Sequence, residues 1–305
     1  MSINSPAKPP QQTPTPAVPH IGIFDSGIGG LSVLRAVRGR LPGATITYIA
    51  DSQYTPWGDR SPAWVIKRCQ QLSEWLIDCG AGLVLVACNT ATTQAIDALR
   101  ARWPQHPFVG VEPGIKPAVA ANPGGRVAVL ATTGTLGSAR LRQLVQNHAG
   151  GASLLLLPCP GLAEAIELAS QDDTPLQAQL HHITAALREA QIDTVVLGCT
   201  HYPLVADQLA QRLGPGVRWI DTASAVAQQV AKRLPGGTHL AHATPNAPNA
   251  PGDTDPAVNS PALGPPNLRL LATAAAPLLQ LAARRWVQDD AVAEALHLPM
   301  GAKRL

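Results

Sequence analysis

Two cysteines in this chain of 305 residues occupy similar settings. Cys88, in LVLVACNTATT, and Cys199, in VVLGCTHYPL, each close a short apolar run and lie 111 positions apart (199 − 88). Each is followed by hydrogen-bonding side chains, Asn89 and Thr90 in one case and Thr200 and His201 in the other. A free thiol has a pKa near 8.5, so only a few per cent is ionised at neutral pH. Both cysteines precede expected helix N-termini, whose dipole lowers a thiol's pKa, and His201 is expected to add to that effect. Two thiols on opposite sides of one carbon accomplish what a single base does poorly. One takes a proton from one face while the other returns a proton to the opposite face, and the roles reverse with substrate handedness. Thiols so opposed would suit racemisation at an acidic C–H.

A third motif, GIFDSGIGG at residues 22–30, reads as a strand, a glycine-rich turn and a helix start near Leu31. Backbone N–H groups at such a start can hold a carboxylate or phosphate. The spacing is not that of a nucleotide P-loop, and no lysine follows. Asp25 ends an apolar strand, so its carboxyl must find a partner or a task. The alternative route to racemisation, pyridoxal phosphate on a lysine, has few candidates here. Of Lys8, Lys67, Lys116, Lys232 and Lys303, only Lys116 in GIKP is placed to be considered. No cofactor is expected. A Cys-His hydrolase built on Cys199 and His201 is a weaker reading, because residues two apart need not face each other and no oxyanion hole is identifiable.

These residues need a scaffold, and the sequence supplies alternating strands and helices. Runs read as strands are HIGIFD, ATITYIAD, GLVLVACN, PFVGVE, RVAVLATT, SLLLLP, DTVVLGCT and VRWID. Each is short and apolar on both faces, as in a parallel sheet covered by helices. Ser61-Pro62 reads as an N-cap with proline at the first helical position, and Val65, Cys69, Leu72, Leu76 and Cys79 follow at helical spacing. That stripe predicts core positions for Cys69 and Cys79. The pattern is doubly wound α/β, and the polar strand ends FDSGIGG and VACNTATT, then LATTGTLGS and LGCTHYPL, suggest two such units. In open α/β sheets, chemistry collects beyond the carboxyl ends of the strands, where these clusters fall.

Composition bounds the rest. Hydrophobic residues make up 46% and charged residues 14%, enough apolar content for one large or two ordinary domains. The net charge of +3 is not gathered into basic runs, so no direct nucleic-acid partner is expected. No apolar run approaches the roughly 20 residues needed to cross a bilayer, and the N-terminus lacks the apolar segment of a secretory signal. A cytoplasmic location is expected. The five cysteines, at 69, 79, 88, 159 and 199, form no C-x-x-C pair and predict neither a disulfide framework nor a thiolate metal site; no metal is expected. Cys159 reads as structural. Residues 1–19 read as a disordered leader, and the Pro-, Ala- and Asn-rich stretch from about 235 to 266 as a flexible insertion.

Taken in order, DSGIGGLSVL, YIADSQYTPWG, ACNTATT, GVEPGIKPA, VAVLATTGT, LGCTHYPL and WIDTA resemble the glutamate racemases of the aspartate/glutamate racemase superfamily. The similarity runs from about Ile21 to Thr222 and more weakly into LRLLATAAAPLLQLAARRW. It implies two pseudosymmetric α/β/α domains with mostly parallel sheets and the active site in the cleft between them. On that pattern, 20–112 with 222–305 forms one domain and 113–221 the other. It implies interconversion of L- and D-glutamate without cofactor or metal, the D-enantiomer serving peptidoglycan synthesis. Cys88 matches the family cysteine that takes the proton from the D-enantiomer, and Cys199 the one that takes it from the L-enantiomer. Asp25 matches the acid assisting the first and His201 the group assisting the second. Glu167 falls where the family has a further glutamate, with Glu164 a nearby alternative. Substrate contacts carry over to Asp25, Ser26, Trp57, Gly58, Asn89, Thr90, Thr132, Thr135, Thr200 and His201. Short hydroxyls, an amide and backbone N–H groups suit two carboxylates and an ammonium.

The chain also departs from the pattern. Trp57 stands where the family has tyrosine, and an indole N–H only donates. The leader, the 235–266 insertion and the motif around Thr273 are atypical too. Rival readings are a related two-cysteine racemase acting on aspartate or hydantoins, and a non-catalytic relative that binds DNA gyrase. The expected partner is the small-molecule substrate glutamate, with a homodimer left open and no membrane association.

Overall fold

The computed structural model describes residues 18–169, 171–234 and 268–300. The expected leader, save its last two residues, and the expected insertion lie outside them. Among the described residues there are ten strands: β1 (His20–Asp25), β2 (Thr45–Ala50), β3 (Leu83–Val86), β4 (Phe108–Gly110), β5 (Arg126–Ala131), β6 (Ser153–Pro158), β7 (Thr194–Leu197), β8 (Arg218–Ile220), β9 (Leu268–Ala272) and β10 (Ala293–Ala295). They form a six-stranded sheet in the order β10-β9-β2-β1-β3-β4 and a four-stranded sheet in the order β6-β5-β7-β8. Every pairing is parallel. The run β2-β1-β3-β4 repeats as β6-β5-β7-β8, so the two halves share one winding. In both, strand order reverses at the central pair, β1/β3 and β5/β7, and that reversal opens a crevice beyond the strand ends.

Side-chain alternation assigns each face. On the first sheet Ile21, Ile23, Leu83 and Leu85 point into the larger core cluster, shared with Leu34 and Val37 of the helix Leu31–Arg40 and Val226 and Val230 of the helix Ala223–Arg233. Phe24, Val84 and Val86 point the other way, onto Leu72 and Leu76 of the helix Pro62–Asp78 and Ile96 and Leu99 of the helix Asn89–Arg102. On the second sheet Val127, Val129 and Val196 meet Ile115 and Leu141, while Ala128, Leu130 and Val195 join the larger cluster with Leu180 and Ile183. Two helical layers thus cover each sheet.

All eight strands expected from sequence are present. Two were not expected. β9 follows the Pro- and Ala-rich stretch and keeps one exposed residue, Arg269, among buried leucines. β10 reads AEA and has no apolar run. The expectation that every strand is buried on both faces fails at β6, whose residues are half-buried or exposed because it is a sheet edge.

The helix after Ser61-Pro62 forms as expected. Ser61 caps it by accepting a hydrogen bond from the Trp64 N–H at 3.3 Å. Val65, Cys69, Leu72 and Leu76 are buried, but Cys79 is exposed. The helix ends at Asp78, and Cys79 is its C-cap, already turned out of the stripe. Arg68 takes an unexpected core position, fully buried and doubly bonded to Asp51 at 2.6 and 2.8 Å. Thr273, beyond the end of β9, donates to Asp51 at 3.0 Å and accepts from the Gln53 N–H at 3.0 Å. The atypical C-terminal motif therefore joins a buried charge network beneath the 52–60 loop.

Candidate active site

The two sheets bring their reversal points together. Asp25 is the last residue of β1, and Cys88 follows the neighbouring β3 by two residues. In the second half, Thr132 follows β5 directly and Cys199 follows β7 by two residues. Both cysteines are buried, and Thr200, the residue after Cys199, donates to Asp25 beside Cys88, which brings the two strand ends into one site.

Cys88 is the N-cap of the helix Asn89–Arg102. Its sulfur lies 3.8 Å from the Ser26 hydroxyl oxygen, within reach of a weak S–H donor. Asp25 is fully buried beside it. Its carboxylate accepts from the N–H of Ser26 at 2.7 Å, from the N–H of Gly30 at 2.5 Å and from the Thr200 hydroxyl at 3.2 Å. Burial raises the Asp25 pKa more than the nearby His201 charge and these donors lower it. For Cys88, burial and then the Asp25 carboxylate push the thiol well above its ordinary range. The sequence expectation of a pKa lowered by the helix dipole is therefore wrong for Cys88. A helix start is worth of order 1 kcal/mol, and loss of water together with an adjacent carboxylate outweighs it.

Cys199 has a different neighbour. His201 Nδ1 lies 3.7 Å from its sulfur, and His201 Nε2 lies 2.7 Å from Glu167 Oε1. Cys199 and His201 do face each other, although separation by two residues alone did not require it. Burial by itself would lower the His201 pKa, but the hydrogen bonds to Cys199 and Glu167 outweigh that and hold it well above its ordinary value. A protonated imidazole thus sits against a sulfur. The helix expected after Cys199 is first a 3-10 turn, Tyr202–Val205, and only then the helix Ala206–Leu213, so helix-start stabilisation is displaced from the thiol. Of the two candidate glutamates, Glu167 makes the contact and Glu164 is exposed.

The N–H groups of the glycine-rich turn, expected to receive an anion, hold the protein's own carboxylates: Ser26 and Gly30 hold Asp25, and the Ile28 N–H donates to Glu167 at 2.7 Å. Two of its glycines are required by close approach. A methyl on Gly27 would lie 1.8 Å from Glu167 Oε1, and one on Gly29 would lie 2.4 Å from His201 Nδ1.

The remaining predicted residues assemble around this pair. Thr90 lies 2.9 Å from Thr132 and 3.3 Å from Thr135, oxygen to oxygen, which links the two halves. Thr132 also caps the short helix Thr133–Leu136. Gly58 packs against Thr132, where an added methyl would meet the threonine Cβ at 3.1 Å. The Asn89 side-chain oxygen is buried with no protein partner, as a ligand-facing acceptor would be. The Trp57 indole N–H is buried without a partner, and its ring packs edge-on against Trp64 at 5.6 Å. A small cavity beside Cys199 is lined by Ser32, Val33, Asn89, Thr200, Asp221 and Thr222.

Sequence reasoning missed Tyr48 and Tyr202, both fully buried. Tyr202 donates to the Cys159 carbonyl at 3.4 Å, and Cys159 is a buried residue whose thiol is pushed up to about 12 by burial and then by Cys199. Lys116 is exposed. Among the described residues no group of three His, Cys, Asp or Glu side chains is placed to hold a metal, and no helix is long and apolar enough to cross a membrane.

The profile of the Asp/Glu/Hydantoin racemase family matches residues 32–230, and the chain belongs to that family. Within it, the chain is 43% identical over 228 residues to a glutamate racemase of Pseudomonas paraeruginosa, covering 75% of this chain and 86% of that one. Among solved structures it is similar to glutamate racemase isoform RacE1 from Bacillus anthracis, with a TM-score of 0.74, 27% identity and coverage of 92% and 98%. It is also similar to Escherichia coli glutamate racemase in complex with L-glutamate and the activator UDP-MurNAc-Ala, with a TM-score of 0.72, 30% identity and coverage of 92% and 98%.

Proposed function

We propose that this chain is an amino-acid racemase that interconverts L- and D-glutamate, with Cys88 and Cys199 as its two proton-transfer groups and no cofactor. One observation carries the reading: the thiols lie at equivalent strand-end positions of two similarly wound halves, bridged by the Thr200–Asp25 hydrogen bond, yet have unlike polar neighbours. Family membership and the similarity to glutamate racemases support the choice of substrate.

In this reading the Cys199 thiolate, paired with the His201 imidazolium, takes the Cα proton of L-glutamate. The C–H electron pair is left on Cα, delocalised into the adjacent carboxylate. The Cys88 thiol then delivers its proton to the opposite face, leaving a Cys88 thiolate. Starting from D-glutamate the steps reverse, with Asp25 assisting Cys88. Ser26, Asn89, Thr90, Thr132, Thr135, Thr200 and the Trp57-Gly58 segment hold the substrate's carboxylates and ammonium. Donors fixed in advance cost no reorganisation as charge develops on the substrate. The product D-glutamate feeds peptidoglycan precursors, which implies a cytoplasmic enzyme. The same reading takes 20–112 with 222–305 as one domain and 113–221 as the other, and a homodimer as the assembly. The division is supported by β1–β4 sharing a sheet with β9 and β10.

The test is purified protein with L-glutamate and no added pyridoxal phosphate. The expected result is decay of optical activity to zero as equal enantiomers accumulate. Inversion of aspartate alongside inert glutamate would replace the substrate.

A further inference from the structure

We infer that Tyr48, on β2, is a positioning residue for the Cys199 side of the site, acting through the Gly27–Ile28 peptide group on Glu167 and His201. The inference rests on the function proposed above and adds a residue to it.

Tyr48 is fully buried, and its hydroxyl donates to the Gly27 carbonyl oxygen at 2.7 Å. That carbonyl and the Ile28 N–H belong to one peptide group, which is planar, so fixing the direction of one fixes the other. The Ile28 N–H donates at 2.7 Å to Glu167 Oε1, the same oxygen that lies 2.7 Å from His201 Nε2. His201 Nδ1 completes the path, 3.7 Å from the Cys199 sulfur. A hydrogen bond received at a carbonyl polarises its peptide and strengthens the N–H as a donor. The phenol thus both aims and strengthens the backbone donor that holds Glu167 against His201.

The placement explains why a tyrosine occupies this strand. TITYIA has one aromatic residue, and its buried phenol needs a partner. Burial and the charges of Asp25, Glu167 and Cys88 hold its proton affinity well above the ordinary value, so it stays a donor throughout the working range. The partner it finds is the turn that carries both carboxylates of the site. A methyl at Gly30 would lie 2.8 Å from the Tyr48 hydroxyl oxygen, so the turn lies directly over it.

Tyr48→Phe removes the hydroxyl and keeps the ring. The expected result is a folded protein with kcat about fivefold to tenfold lower, the worth of one hydrogen bond, and KM within about twofold. The His201 imidazole, followed by NMR in the protein without substrate, should titrate at lower pH than in the wild type. The deciding comparison is the double variant. If Tyr48 works through Glu167, adding Tyr48→Phe to Glu167→Gln costs nothing further, whereas a packing role costs the same factor in both backgrounds. Additive losses, or an unmoved His201 titration in folded Tyr48→Phe, would overturn the inference. If Tyr48→Phe does not fold, Gly27→Ala drives a methyl at Glu167 with Tyr48 intact, and an unmoved His201 titration there overturns it equally. Wild-type protein that leaves glutamate untouched would defeat the proposed function, while the substrate-free titration would still decide the role of Tyr48.

Discussion

The two halves share a strand order and place a cysteine two residues beyond equivalent strands, but their thiols meet opposite chemistry. Cys88 lies beside a buried carboxyl, and that environment keeps its proton on. Cys199 lies beside an imidazole that is held by Glu167 and keeps its proton well above its ordinary range. A symmetric fold with symmetric partners would leave both thiols in the same protonation state, which serves neither direction. On the proposed mechanism, unlike partners suit one thiol to act as acid and the other as base. The halves also differ in support. The Cys88 half contains the fully buried Asp51–Arg68 pair, whereas the Cys199 half is tied to the first through Glu167 and the glycine-rich turn.

The comparison can be broken most severely at the sulfurs. Cys88→Ser and Cys199→Ser should each reduce racemisation by about 10²–10⁴-fold, the usual worth of a positioned acid or base. Because the equilibrium constant between enantiomers is one, kcat/KM must fall by the same factor in both directions. Unaltered turnover in either variant would show that one thiol suffices.

Support is tested next. Arg68→Ala strands the Asp51 carboxylate in the core and should cost about 3–5 kcal/mol of stability, read from the denaturant midpoint. A midpoint barely moved would mean that the pair does not anchor the Cys88 half.

The proton partners give the finest distinction. His201 keeps its proton well above pH 6.5, so the limb it controls is the alkaline one, where rising pH removes that proton and lowers the rate. His201→Asn should abolish that alkaline limb and lower kcat by about 10²-fold. Asp25 has a raised pKa, so the limb it controls lies on the acid side, above pH 3.8, and Asp25→Asn should alter that limb alone. Identical changes in the two pH profiles would erase the claimed difference between the halves.

Much of this was legible in the sequence because the informative residues interrupt apolar strands. Asp25, Cys88 and Cys199 each close a run in which a polar or reactive group needs a reason, and the structure gathers them at the reversal points. Glu167 and the four threonines, Thr90, Thr132, Thr135 and Thr200, also join the cluster. What escaped notice depended on contacts between elements distant in sequence. Tyr48 and Arg68 sit on faces that are otherwise apolar, and the only available signal was a buried hydroxyl and a buried charge requiring partners. The thiol environment of Cys88 was misjudged because the helix start is visible locally, while burial and the side of Asp25 that faces the sulfur are set by the fold. Cys79 continues the helical period one residue beyond the end of the helix.

The most direct measurement is racemisation in deuterated water, sampled at early times from each enantiomer separately. Proton exchange at a thiol flanking one face should put deuterium at Cα of the inverted product while unreacted starting enantiomer keeps its protium, whichever hand is supplied. Deuterium appearing in starting material without inversion would mean that the group removing the proton also returns one to the same face, and would contradict the account.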